Sequence, residues 1–259
     1  MSLRNVLPLC LAALCAALLL AACGSGQSSN VQSSPQSELR PAAPSPTPTP
    51  EPTTPAPAPT TPDSTEAPPR SGPSGFSMPI AGACLTSSPN LLPNAPREYR
   101  YGIHEGVDFY QGYSCAAIGL GTPVLAAKDG VLIRADYDYV PLSPGELDQL
   151  LARSQAQGYT DAETLDRFRG RQVWIDHGNG IVSRYCHLSG ISAGLAVGQH
   201  VSAGDLIGYV GNSGTPESVT DPELEMHLHF EIRIGNTFLG AGLSPLEARV
   251  LYAFTFGVS

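Results

Sequence analysis

Basic residues are scarce in this sequence. Lys and Arg together number 14 among 259 residues, against 23 Asp and Glu, and nowhere do they form a run. A formal net charge of −9 would be repelled by a phosphate backbone, so nucleic acid is excluded as a partner. Long apolar runs are also missing. The longest, Val6 to Leu20, falls short of the roughly 20 apolar residues of a membrane span. Histidines are few, six in all, so their positions carry information.

The run from Val6 to Leu20 follows Arg4 and ends in Leu20-Ala21-Ala22-Cys23-Gly24. It fits the apolar region of a signal peptide. The small residues before Cys23 resemble a bacterial lipobox, which implies lipidation of Cys23 after removal of residues 1–22. Residues 23–75 follow as a Pro/Thr/Ser-rich tether, with 13 of the 25 prolines between 41 and 75. That composition offers too little apolar surface to offset ordering entropy and predicts a disordered, semi-stiff spacer. A single globular domain is expected over 76–259, long enough to bury a core.

Cys10 and Cys15 lie in the leader, leaving Cys84, Cys115 and Cys186 in the domain. In an oxidising compartment Cys84 and Cys115 are expected to pair, since both lie in irregular sequence flanking the His104-to-Asp108 segment. Cys186 lies in a strand pattern and reads as a buried free thiol.

Short β-rich segments separated by Gly turns dominate from Phe76 onward. Strands are expected over Val124–Ala127, Val131–Ala135, Gln172–Asp176 and Ile181–His187, then within Asp205–Val210 and over His227–Ile234. The Asn179-Gly180 pair predicts a hairpin between the third and fourth. The pattern is mainly β and antiparallel. One stretch, about 141–169, departs from it. Ser143-Pro144-Gly145-Glu146 and Thr160-Asp161-Ala162-Glu163 both read as capping boxes, with Leu147, Leu150 and Leu151, then Leu165 and Phe168, behind them. Two short helices inserted between strands are expected, either as surface decoration or beside a functional site.

Within a strand, residues i and i+2 face the same way, so His227 and His229 project together. Two imidazoles on one face of an apolar strand are costly unless something binds them, and a metal ion would. Asp108, four residues after His104, is a carboxylate within reach of the same ion. Two His and one Asp leave a fourth position open, which is the mark of a catalytic rather than a structural metal site. A further strand ends in Tyr185-Cys186-His187-Leu188.

These segments together resemble the M23 family of peptidases, the lysostaphin/LytM-type metallopeptidases. The resemblance runs from about Pro79 to Pro245. It rests on Gly102-Ile103-His104-Glu105-Gly106-Val107-Asp108-Phe109, Gly121-Thr122-Pro123-Val124, Ile175-Asp176-His177-Gly178-Asn179-Gly180, Arg184-Tyr185-Cys186-His187-Leu188, Val197-Gly198-Gln199 to Gly204-Asp205 and His227-Leu228-His229-Phe230-Glu231. It implies an antiparallel β-sheet or sandwich of the lysostaphin-like peptidase type, carrying the two-helix insertion. It implies one Zn2+ held by His104, Asp108 and His229, with His187 and His227 as the catalytic, non-ligand pair. The implied activity is endopeptidase cleavage of peptidoglycan peptides by a lipid-anchored, extracytoplasmic monomer facing the cell wall. The alternatives are a non-catalytic wall-binding or amidase-activating module, and a zymogen whose insert or residues before Gly102 occlude the groove.

Lesser expectations attach to single residues. Tyr99 or Tyr101 could stand near an oxyanion, as a tyrosine does in some members of the family, and Glu231 could support the last ligand. His177 reads as a turn hydrogen bond and His200 as exposed. Met226 stands where the family usually has proline, and Pro216–Glu225 is longer than a tight loop needs.

Overall fold

The computed structural model describes residues 72–258. The expected leader, the lipidated Cys23 and the tether up to residue 71 lie outside the described residues. Residues 72–75, read above as the end of the tether, already lie against the domain, where Lys128 Nζ donates to the Ser74 carbonyl at 3.0 Å.

In chain order the strands are β1 (Pro96–Arg97), β2 (Gly102–Ile103), β3 (Val107–Tyr110), β4 (Pro123–Leu125), β5 (Gly130–Ala135), β6 (Val173–Asp176), β7 (Ile181–Cys186), β8 (Leu188–Ile191), β9 (His200–Val201), β10 (Leu206–Val210), β11 (His227–Ile234) and β12 (Thr237–Phe238). The helices are α1 (Pro144–Gln157), α2 (Ala162–Phe168), α3 (Glu217–Thr220) and α4 (Pro245–Phe256). A seven-stranded sheet runs β12-β11-β7-β6-β5-β9, with β3 on the same edge of β11 as β12. A three-stranded sheet, β4-β10-β8, and the β1-β2 pair complete the fold. Every pairing among the described strands is antiparallel, as the alternating patterns predict.

Val107, Phe109, Leu228, Phe230 and Ile232 point into the main core with Tyr185, Leu188 and Tyr252. The residues between them along β3 and β11 therefore point the other way, and those are Asp108, His227, His229 and Glu231. Cys84 and Cys115 form a disulfide, and Cys186 is buried and free.

The insert lies between β5 and β6, with a small core of its own from Leu142, Leu147 and Phe168, against which Val219 of α3 packs. Ser143 caps α1 by accepting from Glu146 N, and Gly158 ends it with φ 73°. The second cap differs from expectation. Asp161, not Thr160, is the N-cap and accepts from Thr164 N. The Thr160 hydroxyl instead donates to the Arg100 carbonyl, tying the insert to the segment before the first motif.

Two further differences matter. The strand expected to reach His187 ends at Cys186, because His187 turns into the left-handed region at φ 60°. Helix α4 was not anticipated, although Ser244-Pro245-Leu246-Glu247 is a full capping box with Pro in the first turn.

Candidate active site

Antiparallel pairing of β3 with β11 sets His229 opposite Asp108 and His227 opposite Tyr110. His104 arrives from the turn after β2, its backbone N–H donating to the Ala95 carbonyl at 2.8 Å. Gly106 makes this approach possible. A Cβ there would stand 2.3 Å from the Phe230 carbonyl oxygen.

The donor atoms converge. His104 Nε2 is 2.9 Å from Asp108 Oδ1 and 2.8 Å from His229 Nδ1, and His229 Nδ1 is 2.8 Å from Asp108 Oδ1. The outer ring nitrogens fix the tautomers. His104 Nδ1 faces the Leu92 carbonyl at 2.9 Å and can only donate to it. His229 Nε2 donates to Glu231 Oε1 at 3.0 Å. The inner atoms are then two imidazole lone pairs and a carboxylate oxygen in mutual contact. Such a triad requires a shared positive charge, either a proton on His229 or a metal cation. Two imidazoles and one carboxylate, each imidazole held by an outward hydrogen bond, fit a divalent cation.

The pKa directions follow from burial and these contacts. Burial pushes His104 down to about 4, against the pull of Asp108. Burial alone would raise Asp108, but His104, His229 and His227 hold it well below the usual carboxylate range. His229 is lifted: burial opposes its charge, and hydrogen bonds to Asp108 and Glu231 outweigh that. Arg97 donates to the second Asp108 oxygen, Oδ2, at 3.1 Å, leaving Oδ1 for the centre.

His187 and His227 stand beside the triad. Their ring centroids are 4.6 Å apart, and the His187 centroid is 5.7 Å from that of His229. His187 Nδ1 donates to the Ser213 carbonyl at 2.8 Å, and His227 Nδ1 to the Glu225 carbonyl at 2.7 Å. In both, Nε2 is left as the accepting nitrogen. Burial lowers the pKa of each, and for His187 the neighbouring histidines lower it further. Two neutral, oriented bases result. The left-handed backbone at His187 is what turns its side chain out of the strand, and the Arg169 carbonyl holds its N–H at 2.9 Å.

Several contributors escaped the sequence reading. Tyr110 stacks on His227 at 4.2 Å and 11°, and its hydroxyl donates to Glu225 Oε2 at 2.7 Å. Its position two residues after Asp108, on the same face, was the available signal. Arg169, at the end of the insert, donates to Glu231 Oε1 at 2.6 Å and Glu105 Oε2 at 2.7 Å. No local pattern announced those long-range pairs. Of the two tyrosines considered, Tyr99 lines the cleft, edge-on to Phe168 at 6.2 Å, whereas Tyr101 is exposed in a turn and does not line it. His177 bridges the Asp129 carbonyl and the Ser183 hydroxyl, and His200 is exposed.

All five residues, His104, Asp108, His187, His227 and His229, border one cleft of about 520 Å³, with Leu151, Leu165 and Phe168 of the insert on its wall. The insert is thus part of the site rather than decoration.

Three donor atoms placed to hold a metal ion, with two oriented imidazoles beside them in an open cleft, have the layout of a metallohydrolase centre. Residues 151–240 match the model for peptidase family M23. The chain is 30% identical over 160 residues to DD-carboxypeptidase/endopeptidase Mpg of Neisseria meningitidis, covering 62% of this chain and 27% of that protein. It is 32% identical over 137 residues to peptidoglycan DD-endopeptidase ShyA of Vibrio cholerae, covering 53% and 22%. The L-Ala--D-Glu endopeptidase of Bacillus subtilis is 32% identical over 81 residues, covering 31% and 25%. Among solved structures, a zinc-containing peptidase from Vibrio cholerae aligns with TM-score 0.40 at 21% identity, covering 63% of this chain and 38% of that one. The lysostaphin catalytic domain from Staphylococcus simulans aligns with TM-score 0.32 at 24% identity, covering 52% and 69%. The chain spans about a quarter of the length of the curated relatives it matches. Over residues 151–240 the chain is thus similar to peptidase family M23.

Proposed function

We propose that this protein is a zinc-dependent endopeptidase that hydrolyses amide bonds in the stem peptides or cross-links of bacterial peptidoglycan. The observation that carries the proposal is the convergence of His104 Nε2, Asp108 Oδ1 and His229 Nδ1 within 2.9 Å of one another. The substrate class is supported by the names of the relatives, a peptidoglycan DD-endopeptidase and an L-Ala--D-Glu endopeptidase.

His104, Asp108 and His229 would hold the zinc. When bound, zinc supplies Lewis acidity, making water more acidic and polarising a carbonyl. His187 and His227 move the protons. One neutral Nε2 takes a proton from the attacking water, and the imidazolium so formed donates to the oxyanion or to the leaving amine. Glu231 is occupied by His229 and Arg169 and is no base. Tyr110 holds the His227 ring by stacking.

The same reading makes the protein extracytoplasmic, held to the bacterial membrane through lipid on Cys23, spaced from it by the residues between Cys23 and Gly72, and active as a monomer. No helix among the described residues is long and apolar enough to cross a membrane.

The test is twofold. Purified protein should hold one zinc by elemental analysis, and His104→Ala or Asp108→Ala should lose it. Mass spectrometry of digested peptidoglycan should then show new peptide termini made by the wild type alone. Intact stem peptides after digestion by the zinc-loaded wild type would defeat the proposal.

A further inference from the structure

Two arginines are buried among the described residues, Arg100 and Arg169, each 6% exposed. They are treated very differently. Arg169 is matched by Glu231 and Glu105. Arg100 has no carboxylate partner among the described residues. Its Nη2 donates to the Ile103 carbonyl at 2.6 Å, and the Tyr99 phenol lies alongside. A guanidinium carries five N–H donors, and the bond to Ile103 uses one of them. Burial, together with the nearby Arg97 and Arg169, makes its charge harder to hold. A buried charge without an opposite partner is costly.

Its surroundings fix it in place. The Arg100 side chain packs against Gly102, where any Cβ would stand inside van der Waals distance of Nη1. Its carbonyl accepts from Thr160 of the insert. It borders the same cleft as His104 and Asp108, facing the apolar insert residues Leu151, Leu165 and Phe168. An apolar wall beside an arginine lowers the local dielectric and strengthens its pull on an anion. The neighbouring Arg97 is already committed to Asp108.

We infer that Arg100 is a specificity residue that receives a free carboxylate of the peptide being cleaved, in the cleft it shares with Tyr99 and the insert. The missing counter-ion is then supplied by the substrate, and binding relieves a charge that the fold leaves unpaired. This inference rests on the proposed peptide-hydrolysing function for its ligand, and not on the metal for its geometry.

The test compares a stem tetrapeptide carrying free carboxylates with the same peptide whose carboxylates are converted to carboxamides. Binding to the full chain is measured by titration calorimetry, with cleavage followed by mass spectrometry. The wild type should prefer the carboxylate form by about 10- to 100-fold. Arg100→Gln should bring that ratio near one, and Gly102→Ala, which displaces the guanidinium, should reduce it. A wild type without preference overturns the inference, and so does a folded Arg100→Gln that keeps the preference. Preference without cleavage would sink the proposed hydrolysis while leaving Arg100 as an anion-recognising residue. Cleavage without preference would do the reverse.

Discussion

Glu231→Gln is the substitution whose consequences can be followed furthest. The carboxylate is fully buried and accepts from His229 Nε2 at 3.0 Å and Arg169 Nε at 2.6 Å, with Arg233 and Arg184 at 3.4 and 3.5 Å. Burial alone would raise its pKa, but Arg169 and His229 hold it well below the usual range. Its contribution to stability is therefore fully present above the unfolded carboxylate pKa and is lost only as pH falls through the depressed folded value. A glutamine can keep its oxygen toward Arg169 and His229. Its NH2 then faces Arg184 and Arg233, donor against donor. The lost charge-assisted bonds should cost about 1.5–3 kcal/mol of stability. The His229 tautomer is also less firmly fixed, so zinc affinity should fall about 10- to 100-fold. Urea unfolding of the metal-free protein at pH 7 and zinc competition titration measure the two effects. Glu231→Ala, which leaves Arg169 with Glu105 alone, should cost more, about 3–5 kcal/mol. Unaltered zinc affinity and stability in Glu231→Gln would refute the view that this carboxylate orients the ligand.

Other outcomes follow from the same geometry. His187→Ala and His227→Ala should each keep zinc by elemental analysis while losing about 10²- to 10⁴-fold in turnover; loss of metal would mean that the roles of ligand and base are exchanged. Because burial depresses both histidines, they stay neutral until pH falls below the ordinary histidine value. The acid limb of a kcat/KM profile should then lie below pH ~6.5, and a limb above that value would contradict the buried bases. Removing the Cys84–Cys115 disulfide, which closes a 31-residue separation, should lower stability by about 3–4 kcal/mol in chemical denaturation, and no change would deny it a structural role.

Much of this was legible in the sequence because strand periodicity is a local property. Alternation along His227-Leu228-His229-Phe230-Glu231 placed the two imidazoles on one face of β11, with Leu228 and Phe230 turned into the core; that both faces of β11 are buried was not legible from it. The helical insert announced itself by caps. Its place on the cleft wall was hidden, since it depends on Thr160 reaching Arg100 and Arg169 reaching Glu231, pairs 60 and 62 residues apart. The break at His187 was hidden for a similar reason. Its left-handed backbone is a poor local choice, held by the Arg169 and Ser213 carbonyls from elsewhere in the chain. Tyr110 could have been found by carrying the two-residue period one step past Asp108. Helix α4 was readable from its capping box.

The pairing of β3 with β11 has a consequence for how the protein matures. His104 and Asp108 lie 125 and 121 residues before His229. A growing or partly folded chain can offer the first two donors but not the third until β11 has emerged and docked in register. That docking closes one of the longest loops in the domain and is among the slowest kinds of contact to form. On the proposed reading, metal capture is therefore a late event, and occupancy counts completed molecules. The proposed centre would then act as an assembly checkpoint, complete only when the two distant strands have met.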